Sequence, residues 1–246
     1  MIKHYLKDRF LNKARIPKYK YGRSDVDGRA ILLRDFRAIY IPIPKVACTS
    51  LKKAFASAID IDLNLVTIGE KSIQQIDFPY TEIHEIERFK DYKKFVFVRN
   101  PWDRLVSCYK DKVRPDKDYS GERNLYVDGV HIGLLRYGVF RAGMPFSEFV
   151  KAISEIPDEQ ANPHFRSQHT FLSNKNAPPF VDFIGKFEKL NQDFNTICEA
   201  IGMSSLTLPH SNKSHQKKYP EYYTDDLKKI VEERYEKDIE ILGYEF

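Results

Sequence analysis

The segment that most narrows what this chain can fold into is Ile39 to Ser57, IYIPIPKVACTSLKKAFAS. Ile39, Ile41 and Ile43 form a short β-branched run ending at Pro44, the pattern of a buried strand. Leu51, Ala54, Phe55, Ala58 and Ile59 then recur at i, i+3, i+4, i+7 and i+8, one face of a helix. Between them stands Pro44-Lys45-Val46-Ala47-Cys48-Thr49-Ser50. A loop that opens a helix presents unpaired N–H groups at the positive end of the helix dipole, where phosphates bind. Lys45 adds a mobile positive charge, and Thr49 and Ser50 add hydroxyl donors. The loop lacks G-x-x-x-x-G-K-[ST], so it is not of the Walker type. An ordinary strand-to-helix turn with a Ser/Thr cap gives the same letters.

A second unit follows at Lys94 to Lys112, KFVFVRNPWDRLVSCYKDK. Phe95 to Val98 suits a buried parallel strand, with Arg99 at its end. Asn100 is a helix cap, and Pro101 falls at the first helical position, where its missing N–H costs nothing. Trp102, Leu105, Val106 and Tyr109 make the apolar face; Ser107 lies on another. Two strand–loop–helix units, each with a cation and a hydroxyl near the carboxyl end of a strand, predict an α/β fold. Its central parallel sheet is flanked by helices, with a third strand near Val181–Phe187, and ligands sit at that edge.

At 246 residues the chain is expected to form one domain, 1–246, with a real core. The net charge of +5 suits a polyanionic ligand: a nucleotide, a nucleic acid or an acidic polysaccharide. Cys48, Cys108 and Cys198 are too few and too scattered for a disulfide framework, which points to a reducing compartment. No clustered His/Cys spacing suggests a metal. The N-terminal MIKHYLKDRFLNKARIPKYK is basic but never apolar enough for a signal peptide. No run approaches the roughly 20 apolar residues of a membrane span. A soluble, cytoplasmic protein is the expectation.

Elsewhere the reading is coarser. Residues 1–35 read as a basic, aromatic arm ahead of the first strand, without a nucleic-acid motif. Thr81 to Phe89 reads as a short helix capped by Thr81, with Ile83, Ile86 and Phe89 inward and His84, Glu85 and Arg88 off that face. Residues 114–133 read as a long charged loop, either an acceptor-binding element or a surface insertion. Asn162 to Leu172, NPHFRSQHTFL, gathers His164, Arg166, Gln168 and His169. Leu190, Phe194, Ile197, Cys198 and Ile201 mark a helix that stops at Gly202. His210 to Tyr219 is a basic loop, and Thr224 caps the last helix.

Taken together, PKVACTS and VRNPWDRLVS resemble the 5′-phosphosulfate loop and the 3′-phosphate motif of the carbohydrate sulfotransferase family. VDFIGKFEKLNQDF (Val181 to Phe194), LPHSNKS (Leu208 to Ser214) and ERYEKDIEILGYEF (Glu233 to Phe246) are similar to segments of its bacterial members. The resemblance runs from about Ile39 to the C-terminus. It implies a P-loop-like three-layer fold and transfer of a sulfuryl group from 3′-phosphoadenosine 5′-phosphosulfate (PAPS) to an acceptor hydroxyl. Lys45, Val46, Ala47, Cys48, Thr49 and Ser50 would hold the 5′-phosphate, and Lys45 would neutralise charge on the leaving phosphate. Arg99 and Ser107, eight residues apart, would grip the 3′-phosphate. Lys213 and Ser214 would close over the nucleotide, and His164 and Gln168 would meet the acceptor. The expected base is His84, with Glu82 and Glu85 as alternatives. Glycan, lipid-linked sugar and small alcohol all remain open as acceptors. The rival readings are a non-catalytic nucleotide-binding module, a kinase-like nucleotide transferase, and a basic RNA- or DNA-binding protein.

Overall fold

The computed structural model describes residues 20–23, 28–61, 77–113, 126–172, 180–203, 206, 208 and 218–246. Its strands are β1 (Lys20–Arg23), β2 (Arg29–Leu33), β3 (Ala38–Ile41), β4 (Asp77–Glu82), β5 (Lys93–Val98), β6 (Tyr126–Val127), β7 (Val130–His131) and β8 (Phe183–Lys186). Its helices are α1 (Cys48–Ala58), α2 (Pro101–Lys112), α3 (Ile132–Leu135), α4 (Phe146–Ser154), α5 (Leu190–Ala200), α6 (Asp225–Arg234) and α7 (Glu236–Leu242). The fold is α/β, as the two strand–loop–helix units predict.

The main sheet runs β1-β4-β2-β3-β5-β8. β3, β5 and β8 are parallel, with Tyr40 opposite Phe95 and Val96 opposite Ile184. This half is the parallel sheet expected from the sequence. The other half is antiparallel, so the whole sheet is mixed. The cause is the connection from β2 to β3, a 3₁₀ turn at Arg34–Phe36 closed by Arg37 in the left-handed region at φ 46°. A turn that short permits antiparallel pairing alone, because a parallel crossover needs a dozen or more residues. The expected arm over residues 1–35 therefore supplies two strands. Its signal was the run Ala30-Ile31-Leu32-Leu33, which is fully buried.

Both parities of β3 and β5 are buried, so both faces of the sheet are covered. On one face Phe55 of α1 meets Tyr40 at 5.1 Å, Phe95 at 5.8 Å and Phe194 of α5 at 5.8 Å between ring centroids. A second apolar cluster joins Trp102, Leu105 and Val106 of α2 to Phe149 and Val150 of α4 and Leu227 and Val231 of α6. It clamps α2 from the side away from the sheet core.

Two local readings change. Thr81 does not cap a helix: Thr81 and Glu82 finish β4, and a 3₁₀ turn over Ile83–Arg88 follows. Pairing of Thr81 with Ala30 and of Glu82 with Arg29 outweighs the helix-like pattern. Ile86 and Phe89 are buried as expected. The long loop at 114–133 ends in a hairpin, β6–β7, whose Asp128-Gly129 turn has φ of 46° and 79°. Those angles suit a two-residue Asp-Gly hairpin turn. A bridge from Val130 to Val113 moors the hairpin to the end of α2.

Candidate active site

The loop between β3 and α1 holds two non-glycine residues in the left-handed region, Lys45 at φ 70° and Ala47 at φ 51°. Such conformations cost energy and persist only where neighbours impose them. Here the Arg99 guanidinium donates from Nη1 to the Lys45 carbonyl at 3.0 Å. Arg104 Nε donates to the Pro44 carbonyl at 3.0 Å, and the Cys48 thiol to the Ile43 carbonyl at 2.8 Å. Ala47 is the N-cap of α1, and its methyl group cannot accept from the first N–H groups of the helix. The ordinary Ser/Thr-cap reading is thereby excluded, since Thr49 and Ser50 lie inside the first turn.

Arg99 leaves the end of β5 beside this loop, because β3 and β5 are neighbours. Its Nε donates to Asp103 at 2.8 Å, and its guanidinium lies 4.1 Å from the Phe187 ring centroid. Ser107, half-buried, sits one turn beyond Asp103 on the same helix face. The start of α2 is as predicted: Asn100 accepts from the Trp102 and Asp103 N–H groups at 3.0 and 3.3 Å, and Pro101 opens the helix.

Gln168, expected at the acceptor, is 0% exposed. Its Oε1 accepts from the Arg99 N–H at 2.9 Å and its Nε2 donates to the Arg99 carbonyl at 2.7 Å. Gln168 therefore fixes the backbone of Arg99 and does not face an acceptor. Asp238, fully buried, secures the same turn by accepting from the Gln168 and His169 N–H groups at 2.6 and 2.8 Å.

A polar cluster surrounds Lys45. Its ammonium meets Asp111 Oδ2 at 2.9 Å, and Lys112 reaches the same oxygen at 3.2 Å. The Tyr126 hydroxyl donates to the Asp111 carbonyl at 2.7 Å and lies 3.2 Å from Oδ1. Tyr126 stacks edge-on against His131 at 5.3 Å, and His131 lies 5.8 Å from His164 between centroids. Asn162 ties the two histidines: its Nδ2 donates to the Gly133 carbonyl at 3.1 Å, and its Oδ1 lies 2.7 Å from His164 Nδ1.

The family follows from comparison with known proteins. The profile described as "Sulfotransferase family" matches residues 29–245. The chain belongs to that family. Carbohydrate sulfotransferase 11 of Mus musculus is 27% identical over 215 residues, covering 73% of this chain and 55% of the relative. Carbohydrate sulfotransferase 14 of Mus musculus is 29% identical over 182 residues, covering 70% and 46%. Carbohydrate sulfotransferase 10 of Xenopus laevis is 27% identical over 236 residues, covering 85% and 65%. The chain thus spans about half the length of the first two relatives. No solved structure matches significantly.

Among the described residues of this sulfotransferase-family chain, the histidines of the cluster around Lys45 are His131 and His164. His84 is exposed on the 3₁₀ turn after β4, two places from β3 in the sheet order. The alternatives near it are engaged elsewhere: Glu82 pairs with Arg29 at 3.5 Å and Glu85 with Arg88 at 2.9 Å. Lys213 and Ser214 lie outside the described residues. His164 is half-buried at the surface of the cluster. Burial, reinforced by Lys112, Lys45 and His131, pushes its pKa well below 6.5, against the pull of Asp111. Burial raises the Asp111 pKa, but Lys45 and Lys112 outweigh it and hold the carboxyl well below the usual range.

Sequence reasoning missed Arg104, Asp111, Lys112, His131 and Asn162. Asp111 and Lys112 read as ordinary last-turn charges, and nothing local reveals that they face a loop 66 residues earlier. His131 was legible through its Asp-Gly hairpin, which sets it opposite Tyr126.

Proposed function

We propose that the protein transfers a sulfuryl group from PAPS to a hydroxyl of a carbohydrate acceptor. The observation that carries this reading is the 3.0 Å bond from Arg99 to the Lys45 carbonyl, which supports taking the two expected phosphate sites as neighbours on one sheet edge. A nucleotide bearing phosphate at both its 3′ and 5′ positions suits such an edge. The residues fit it: a strained loop leading into a helix whose N-cap is an alanine, a lysine at one end, and an arginine with a nearby serine at the other.

When bound, PAPS supplies an activated sulfuryl group whose transfer relies on positioning and charge stabilisation with in-line oxygens. Lys45 and the start of α1 would hold its 5′-phosphate and offset the charge there. Arg99 and Ser107 would hold its 3′-phosphate. His164 is the preferred base in place of His84. The Asn162 amide is oriented by its bonds to Gly133 and to the His164 N–H, so its oxygen faces His164 Nδ1. An amide oxygen only accepts, so neutral His164 carries its proton on Nδ1 and keeps a lone pair on Nε2. His131 is set the other way: its Nδ1 accepts from the Gly133 N–H at 3.1 Å, leaving Nε2–H as a donor. Nε2 of His164 is thus suited to take the acceptor's proton.

Calorimetry with adenosine 3′,5′-bisphosphate against ATP–Mg²⁺ tests the donor. Arg99→Ala should cost about 2–4 kcal/mol in binding. Equal binding by native protein and Arg99→Ala would defeat the donor assignment. Turnover on desulfated polysaccharides tests the base. His164→Ala should lose roughly 10²–10⁴ with nucleotide affinity nearly unchanged, and His84→Ala should retain activity. The reverse pattern would return the base to His84.

A further inference from the structure

Lys45, the residue asked to meet an incoming phosphate, already has an anion. Asp111 Oδ2 lies 2.9 Å from its ammonium and 3.2 Å from that of Lys112. The three side chains differ in exposure: 18% for Lys45, 29% for Asp111 and 7% for Lys112. Lys112 is locked at the end of α2, and Tyr126 holds Asp111 from the other side. Lys45 instead projects from the loop between β3 and α1 and is the more exposed of the two cations. If Lys45 leaves, Asp111 keeps Lys112 and Tyr126; if Asp111 were absent, Lys45 would stand uncompensated beside Lys112 and the two histidines.

We propose that Asp111 is an internal stand-in for phosphate that occupies Lys45 until the donor nucleotide displaces it. This rests on the donor reading above. Binding is then an exchange of anions at Lys45, and Asp111 is a positioning residue that acts through Lys45. A ligand wins the exchange only by bringing more charge to the loop than one carboxylate does. That favours phosphate esters, which carry up to two charges, over sulfate esters and carboxylates with one. Asp111 thereby gives the site a threshold against monoanionic sugars, the class of molecule that a sulfated or uronate-bearing product represents.

The test is Asp111→Asn, with Asp111→Ser as a second variant should the amide fold poorly. Titrated with adenosine 3′,5′-bisphosphate, the neutral variant should bind roughly tenfold tighter, since one negative charge beside the phosphate is gone. Methyl sulfate, a monoanionic sulfate ester, should compete with the nucleotide markedly better in the variant than in the native protein. Unchanged or weaker nucleotide binding would overturn the proposal. A second readout needs no nucleotide: acylation of Lys45 by an N-hydroxysuccinimide ester, followed by mass spectrometry. Lys45 should label several-fold faster in Asp111→Asn than in native protein, and equal rates would sink the proposal whatever the nucleotide does. Arg99→Ala separates the two readings. If native protein binds and Arg99→Ala does not, the donor reading stands and the Asp111 variants judge the exchange alone. If neither binds, the donor reading falls and the labelling rates decide whether Asp111 holds Lys45.

Discussion

Arg104 occupies a point where three carbonyls converge. Its guanidinium donates to Pro44 at 3.0 Å, Pro163 at 2.9 Å and Arg166 at 2.8 Å, and it is 2% exposed. The rigid fork of arginine can serve three acceptors at once, a task lysine performs poorly. Through this one side chain the Lys45 loop and the His164 loop are held in a common frame. In the sequence Arg104 is merely a neighbour of Ser107, because its partners lie about sixty residues away in either direction. At this same scale the pH dependence is set. As the proposed base His164 must be neutral, and burial with the charges of Lys112, Lys45 and His131 holds its pKa well below 6.5. The acid limb of kcat/KM for the donor, which reports the free enzyme, should therefore fall below 6.5. Lys112→Met removes one of those charges and should move the limb upward; a limb that stays put would mean another group titrates. The stability sign runs the same way. A histidine with a depressed native pKa favours the folded state above its unfolded value and loses that contribution as pH falls.

Elements were legible where their signals are local. The Asn100-Pro101 start of α2 and the parallel strands β3, β5 and β8 need only neighbouring residues to specify them. Thr81 and Glu82, the end of β4, were read as the start of a helix because Ile83, Ile86 and Phe89 carry a helical spacing, whereas the strand depends on its partner β2. β8 shows a further constraint. A Cβ on Gly185 would stand 2.6 Å from Phe97 Cδ1, well inside contact distance, and Phe97 also packs on Phe183 at 6.5 Å. Gly185 lets β8 lie close against β5, and so helps set Phe187, which follows β8, against Arg99. Gly185→Ala should destabilise the protein by about 1–3 kcal/mol, read as a shift in urea midpoint. A neutral result would show that the Phe97 ring can swing aside.

Across the whole molecule, the last residues return to the site. The Asn100 amide donates to the Glu245 carbonyl at 2.8 Å, and the Tyr244 hydroxyl to Glu188 at 3.1 Å. Glu188 in turn accepts from the Asn100 N–H at 2.7 Å. Phe246 completes the joint, edge-on to Trp102 at 5.6 Å and to Tyr223 at 5.4 Å. Removing Tyr244, Glu245 and Phe246 should lower Tm by about 5–10 °C. It should also weaken nucleotide binding several-fold by loosening the Arg99–Asn100 junction; an unchanged melting curve would make the tail a passenger. The resemblance carried by ERYEKDIEILGYEF marked this segment, yet only the folded chain reveals what it touches. Trp102, next to that joint and 2% exposed, is the chain's one tryptophan. Its indole N–H is fixed to the Lys228 carbonyl at 3.2 Å and its own carbonyl accepts from Tyr223 at 3.0 Å. The chain therefore has a single tryptophan emitter, dry and rotationally fixed, close in sequence to the arginine expected to grip the nucleotide. Its fluorescence reports on that corner without any attached dye.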